Sequence, residues 1–164
     1  MKFKSFFMTL LVALALVACK DKQSGPMPYA GDASGSYKGK SIFAIMGKEY
    51  GDVELTLKFT KEADGKYSVL FPAMEKTISG EGVPGGTYTA KLADVTLKGV
   101  EFMTENGVVF ISPVAEQSVT ASDGKAYKVS IASGELKGND LSMVYTVVPG
   151  SMPMPITFTF SGAK

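Results

Sequence analysis

Val53, Leu55, Leu57 and Phe59 alternate with Glu54, Thr56, Lys58 and Thr60, and a strict period of two places every apolar side chain on one face of an extended strand. The same rhythm returns in Tyr67-Val69-Phe71, Tyr88-Ala90-Leu92, Tyr127-Val129-Ile131, Leu141-Met143-Tyr145-Val147 and Ile156-Phe158-Phe160. Between these runs fall Asp64-Gly65, Gly85-Gly86, Asn106-Gly107, Asp123-Gly124 and Gly138-Asn139, dipeptides that supply the positive φ angles of tight hairpins. Consecutive strands therefore pair antiparallel. No window of this region combines a helical period with a starting cap, and the spacing of Pro and Gly rules out a long helix.

Counting runs predicts about eight strands, near 36–46, 51–61, 66–72, 86–98, 100–104, 107–113, 125–137 with 141–148, and 155–162. Leu92, Ala93, Val95 and Leu97 cannot share one face, so a β-bulge is expected near Ala93-Asp94. Eight strands joined by hairpins close most economically into an antiparallel up-and-down barrel, which leaves no exposed edges. The alternative is a β-sandwich, which needs Greek-key crossovers that short connections disfavour. The fold class is all-β. Inward Ala90 and Ala93 leave room in such a barrel, whereas Phe43, Phe59, Phe71, Phe158 and Phe160 take it up, so side-chain bulk favours a packed interior.

Ahead of this region lies a different composition. Lys2 and Lys4 precede an apolar stretch from Phe6 to Val17, too short for the roughly 20 residues that span a bilayer and matching a signal peptide. It ends in Leu16-Val17-Ala18-Cys19, which resembles the bacterial lipobox and contains the chain's one cysteine. That resemblance implies removal of residues 1–18 and S-diacylglycerol and N-acyl modification of Cys19, leaving no thiol for disulfide, metal or nucleophilic chemistry. One acyl chain binds a membrane only marginally, whereas two or more hold stably. Residues 19–35, rich in Ser, Gly, Pro, Asp and Ala, read as a flexible lipidated linker, and 36–164 as one domain with a sizeable core. Lys20-Asp21-Lys22 is similar to a weak surface-export signal and equally to a solvated linker.

Once Lys2 and Lys4 leave with the leader, fifteen lysines face sixteen acids with no charged blocks, so no nucleic-acid partner is expected. The chain has no arginine, histidine or tryptophan. This removes the bidentate fork for phosphates, the zinc sites that need imidazole and the Ser-His-Asp triad. Glu101 with Glu105, or Asp94 with Glu101, are the carboxylate pairs to weigh for a glycosidase-like site, and Met152-Pro153-Met154 for a soft metal. Neither spacing is distinctive, and no enzyme activity, cofactor or metal is expected.

The domain looks like the calycin-like (lipocalin-like) β-barrel lipoproteins of Gram-negative gut bacteria. The similar segments are Tyr37-Lys38-Gly39, Val53-Glu54-Leu55-Thr56-Leu57, Asp64-Gly65-Lys66-Tyr67, the stretch Gly134 to Leu141, and Ile156 to Gly162. The Met/Pro loop from Pro149 to Pro155 departs from the pattern. The resemblance implies a calycin-type barrel on a lipid anchor in the outer membrane of such a bacterium, with surface exposure left open, and carries no shared activity.

Alternation alone does not separate a soluble barrel from a membrane-spanning one. Mid-strand Lys58, Lys91 and Lys128 suit a solvent face or a lumen alike, whereas the absence of aromatic girdles and the expected lipid anchor, which a spanning barrel does not need, favour the soluble form. Several strands are apolar on both faces, and Ile42, Val109, Ile111 and Val144 are the expected outward set, a partner-binding patch unless a loop or the segment from Pro72 to Val83 covers it or the strand faces are assigned the wrong way round. Two functions follow: a lipoprotein binding a small apolar or glycan-derived ligand in the envelope, or a structural lipoprotein docking to another envelope protein without a ligand.

Overall fold

The computed structural model describes residues 25–80, 83–150 and 154–164. The lipobox with Cys19, and Met152-Pro153, lie outside the described residues. The strands are β1 (Met27–Pro28), β2 (Gly35–Ile45), β3 (Lys48–Lys61), β4 (Tyr67–Phe71), β5 (Met74–Ser79), β6 (Thr87–Leu92), β7 (Val95–Val100), β8 (Phe102–Glu105), β9 (Val108–Ile111), β10 (Val114–Thr120), β11 (Ala126–Lys137), β12 (Asp140–Pro149) and β13 (Ile156–Ala163), with a 3-10 turn at Pro84–Gly86. The chain is all-β, with more strands than the eight expected from sequence.

Every pairing is antiparallel. The main sheet runs β1-β8-β9-β11-β12-β13-β2-β3-β4-β7, and β10 pairs with β11 beside that path. Its ends meet, because β7 and β8 are consecutive pieces of chain separated by Glu101 alone. Likewise β9 and β10 are one bent length interrupted at Ser112-Pro113. Long β11 serves both pieces: its register shifts between Ile131 and Ser133, with β10 paired before the shift and β9 after it. Such a bulge bends a strand and lets it change partner. Counting β7 with β8 and β9 with β10 as single bent staves, and setting aside the two-residue β1, eight staves go up and down around a curled sheet. The barrel, and not the sandwich, is the fold.

Three expectations change. The run 86–98 is two strands in two sheets, for at Ala93-Asp94 the chain leaves the β5–β6 hairpin and joins β4. The main-sheet register shifts lie elsewhere, among them Ile42/Ala44 and Tyr67/Val69. The spacer composition also runs further than the free spacer does: Met27 and Pro28 pair with Thr104 and Met103, and Ala33 is fully buried. Ala33 is held because the Tyr37 hydroxyl donates to its carbonyl (2.9 Å) and its N–H donates to the Tyr67 hydroxyl (3.2 Å).

Inside, the alternation does what it promised. Leu55, Leu57 and Phe59 are buried, while Glu54, Thr56 and Lys58 face water, as do Lys91 and Lys128. A charged exterior around an apolar interior is the reverse of a lipid-facing barrel. At the end where the N-terminal segment enters, Phe59 and Tyr67 pack edge-on against Phe102, and Tyr37 against Phe59. Further up, Phe71, Tyr145, Phe158, Phe43 and Tyr50 form a continuous ring-on-ring column. Each buried ring contributes about 1.5–3 kcal/mol, plus roughly 0.5–1.5 kcal/mol per well-placed aromatic pair. Burial pushes the Tyr145 hydroxyl far above its ordinary pKa, an effect partly offset by Ser41.

Candidate functional site

Above this column the barrel is closed by the β5–β6 hairpin, a separate two-stranded sheet. Its buried face carries Met74, Ile78, Ala90 and Leu92, and Lys76 Nζ donates to the Asp52 carbonyl (3.2 Å), fixing it to β3. Asp94 holds the hinge: its carboxylate accepts from the Ala73 N–H, and its carbonyl from the Ser122 N–H (2.8 Å). Beside it the Ala93 N–H donates to the Tyr127 hydroxyl (3.1 Å). The hairpin is a lid. The cavity beneath it, among Leu55, Phe71, Leu92, Tyr145 and Phe158, is about 10 Å³, room for at most one water. Side-chain bulk thus fills the interior, as the phenylalanines predict. Ala90 leaves no space within the barrel because it belongs to the lid, and half-buried Ala93 belongs to the hinge.

The usable space lies at the rim. A cleft of about 320 Å³ opens between the tip of the β2–β3 hairpin and the lid, lined by Ile45, Met46, Tyr50, Ile78, Tyr88 and Met154, with Val83 and Lys48 completing it. This is the size and apolar character of a small-molecule pocket. Burial raises the Tyr88 hydroxyl above its ordinary pKa, so it stays a neutral donor and acceptor at physiological pH. Lys48 Nζ sits 5.5 Å from the Tyr50 ring centre, a cation held over an aromatic face. Met46 has a φ of 52° and is 77% exposed. An unbranched residue that is neither Gly nor Asn rarely adopts this backbone, so a strained turn presents its thioether to the cleft. Tyr88 also lines a larger, polar cleft of about 690 Å³ with Thr89, Lys91, Ser122, Asp123 and Lys125. There Lys91 pairs with Glu75 (3.3 Å) and Lys125 with Asp123 (3.2 Å).

The residues singled out from sequence fall as follows. Met154 lines the apolar cleft, where it is one apolar wall among others. Asp94 and Glu101 stand at opposite ends of β7, roughly 23 Å apart at strand spacing, and Glu101 precedes β8 while Glu105 ends it, roughly 13 Å apart. Glycosidase carboxylates sit about 5–9.5 Å from each other, so neither pair comes together. Glu101 is instead bound to Lys66 (2.7 Å), which raises the lysine's pKa chiefly through that hydrogen bond. No group of three or more metal-ligating side chains occurs among the described residues. Of the outward set, Ile42 (43% exposed) and half-buried Val144 do face out, joined across the wall through Thr159. Ile111 faces the core at 1% exposure and Val109 packs against it. Val108 and Phe110 take the outer face in their place, since a run apolar at every position gives no phase. The rim residues Met46, Tyr50, Ile78 and Val83 were not legible as a site, because only the lid brings them together.

A family model described as the calycin-like beta-barrel domain matches residues 33–163. No curated protein matches the chain. A solved structure from Bacteroides fragilis NCTC 9343, described as a "putative outer membrane protein", is similar with a TM-score of 0.61 and 20% identity. The match covers 80% of this chain and 51% of that one, so the chain spans about half the length of that protein. At this identity the likeness is one of fold. With the family model covering nearly the whole barrel and the staves closing as described, the chain belongs to the calycin-like β-barrel domain family.

Proposed function

We propose that the protein is a lipid-anchored envelope protein that holds a small, largely apolar ligand at the lidded rim of its barrel. The anchor is Cys19, at the end of the lipobox-like Leu16-Val17-Ala18-Cys19, and the location is the outer membrane of a Gram-negative bacterium. One observation carries the ligand reading: the barrel interior is full, whereas an apolar cleft of about 320 Å³ with two tyrosine rings stands open beside the lid. Tyr88 links it to the polar cleft, so a molecule with a greasy part and a hydroxylated, glycan-derived part fits across both. The role is binding without catalysis.

The test is native mass spectrometry of the detergent-purified protein, followed by titration with the neutral apolar dye N-phenyl-1-naphthylamine. The reading expects about one dye per chain, displaced by any co-purified molecule, with Tyr50→Ala and Tyr88→Ala each weakening binding about tenfold, a change of about 1.4 kcal/mol. Absence of saturable binding, or binding indifferent to both substitutions, contradicts it. Co-purification of a second envelope protein with an empty rim favours the docking role.

A further inference from the structure

The end of the barrel opposite the lid carries an apolar surface row that neither the core nor the rim cleft uses. Pro28, Met103 and Phe110 lie side by side in register across β1, β8 and β9, about 5 Å between neighbours. Val108, two residues before Phe110 on the same face, is 46% exposed, and Met27, on the other face of β1 in register with Thr104, is 51% exposed at the sheet edge. Of the acids beside the row, Glu101 pairs with Lys66 (2.7 Å) and Glu135, opposite Phe110, with Lys137 (2.9 Å), while Glu105, in register with Val108, is exposed. The row adjoins the point where the N-terminal segment joins the fold, for Met27 and Pro28 are that junction.

We infer that this row docks on the lipid surface to which the chain is tethered. The inference rests on the lipid-anchor reading of Cys19. Lys20 to Met27 is eight residues, a span of about 28 Å at full extension, so an acylated Cys19 keeps Met27, Met103, Val108 and Phe110 within reach of the headgroups at all times. A bare patch of this size binds a bilayer only weakly; tethering supplies the effective concentration that makes the contact persistent. With Glu101 and Glu135 paired to lysines and Glu105 adding one negative charge, the row has no excess of cations, which suits a mainly zwitterionic surface. Docking also fixes orientation. The eleven residues of β2 lead from this end to the cleft, about 36 Å along the strand and roughly 25–30 Å along a tilted barrel axis, so the cleft opens away from the bilayer.

The chain has no tryptophan, so one introduced indole reports one site. Full-length, lipidated Phe110→Trp, Val108→Trp and Met46→Trp proteins are reconstituted in phosphatidylethanolamine/phosphatidylglycerol vesicles with brominated acyl chains and recovered by flotation. The expected result is strong bromine quenching, about twofold or more, for the first two and none for Met46→Trp. Two substitutions at the row keep the test open if one fails to fold. Protein that floats with both indoles unquenched overturns the docking and leaves the anchor standing. Protein that does not float overturns the anchor reading and the docking with it. A blue-shifted but unquenched indole together with a cross-linked dimer assigns the row to a second copy and also overturns the inference.

Discussion

Two residues carry backbone geometry that their neighbours impose. Gly39 faces Gly162 across β2 and β13, and a Cβ at Gly39 would fall about 2.1 Å from the Ser161 carbonyl oxygen. That obstacle is backbone and cannot swing aside, so Gly39→Ala is expected to cost about 1–3 kcal/mol in urea unfolding, and an unchanged midpoint would show that the strands are not so closely apposed. Met46 works in the opposite sense. Its positive φ is followed by Gly47 at 80°, a turn that Asn tolerates far better than Met. Met46→Asn should therefore raise the melting temperature, gaining up to about 1 kcal/mol, while weakening dye binding at the rim. A variant that gains stability and keeps full affinity would remove Met46 from the site. Both features were hidden in the sequence for the same reason. Met-Gly is not a turn signature, and a strand glycine does not reveal which neighbour crowds it.

Among the elements, the lid hairpin separates function from scaffold. Its attachment runs through Asp94, which satisfies the Ala73 and Ser122 N–H groups together. Asp94→Ala leaves the Ala73 donor without its acceptor, a local loss of about 1–3 kcal/mol. Amides of β5 and β6 should then exchange at least tenfold faster while those of β2, β3 and β13 hold their protection; uniform acceleration would mean the hairpin is part of the barrel's cooperative unit. The staves β3, β12 and β13 were legible because their inward apolar positions keep one phase along the strand, and β2 and β11 because they keep it beside a register shift. Met74–Ser79 was not, since Lys76 occupies the barrel-facing phase of Met74 and Ile78 and reaches Asp52 instead of water alone. Nor was Val114–Thr120, whose register shift between Val114 and Gln117 cancels its phase and whose burial is confined to Val114. The candidate site depends on the first of these, through Ile78, and on the strained turn, so the sequence reaches the barrel before it reaches the rim.

At the scale of the whole molecule the two ends are built differently. The end where the N-terminal segment enters is plugged by the aromatic cluster of Tyr37, Phe59, Tyr67 and Phe102, where burial pushes the Tyr37 hydroxyl up to about 12. Tyr145 in the central column is raised as well, again by burial. Unfolded tyrosines ionise near pH 10. The folded state keeps these protons while the unfolded state releases them, so stability is complete below pH 10 and falls as pH rises toward 12, by about 1.4 kcal/mol per pH unit for each tyrosine still protonated. A urea midpoint that stays flat from pH 9 to 11.5 would contradict their burial. The other end carries the apolar cleft proposed as the ligand site, at a rim that only the closed barrel and its lid together create. That division is the centre of the account, and methyl NMR during titration with N-phenyl-1-naphthylamine tests it most directly. The methyl resonances of Ile45, Met46, Ile78, Val83 and Met154 should shift and saturate, with those of Leu57, Val69, Leu97 and Val129 in the filled interior unchanged. Saturating shifts in the interior set, with the rim silent, would place the ligand inside the barrel and contradict it.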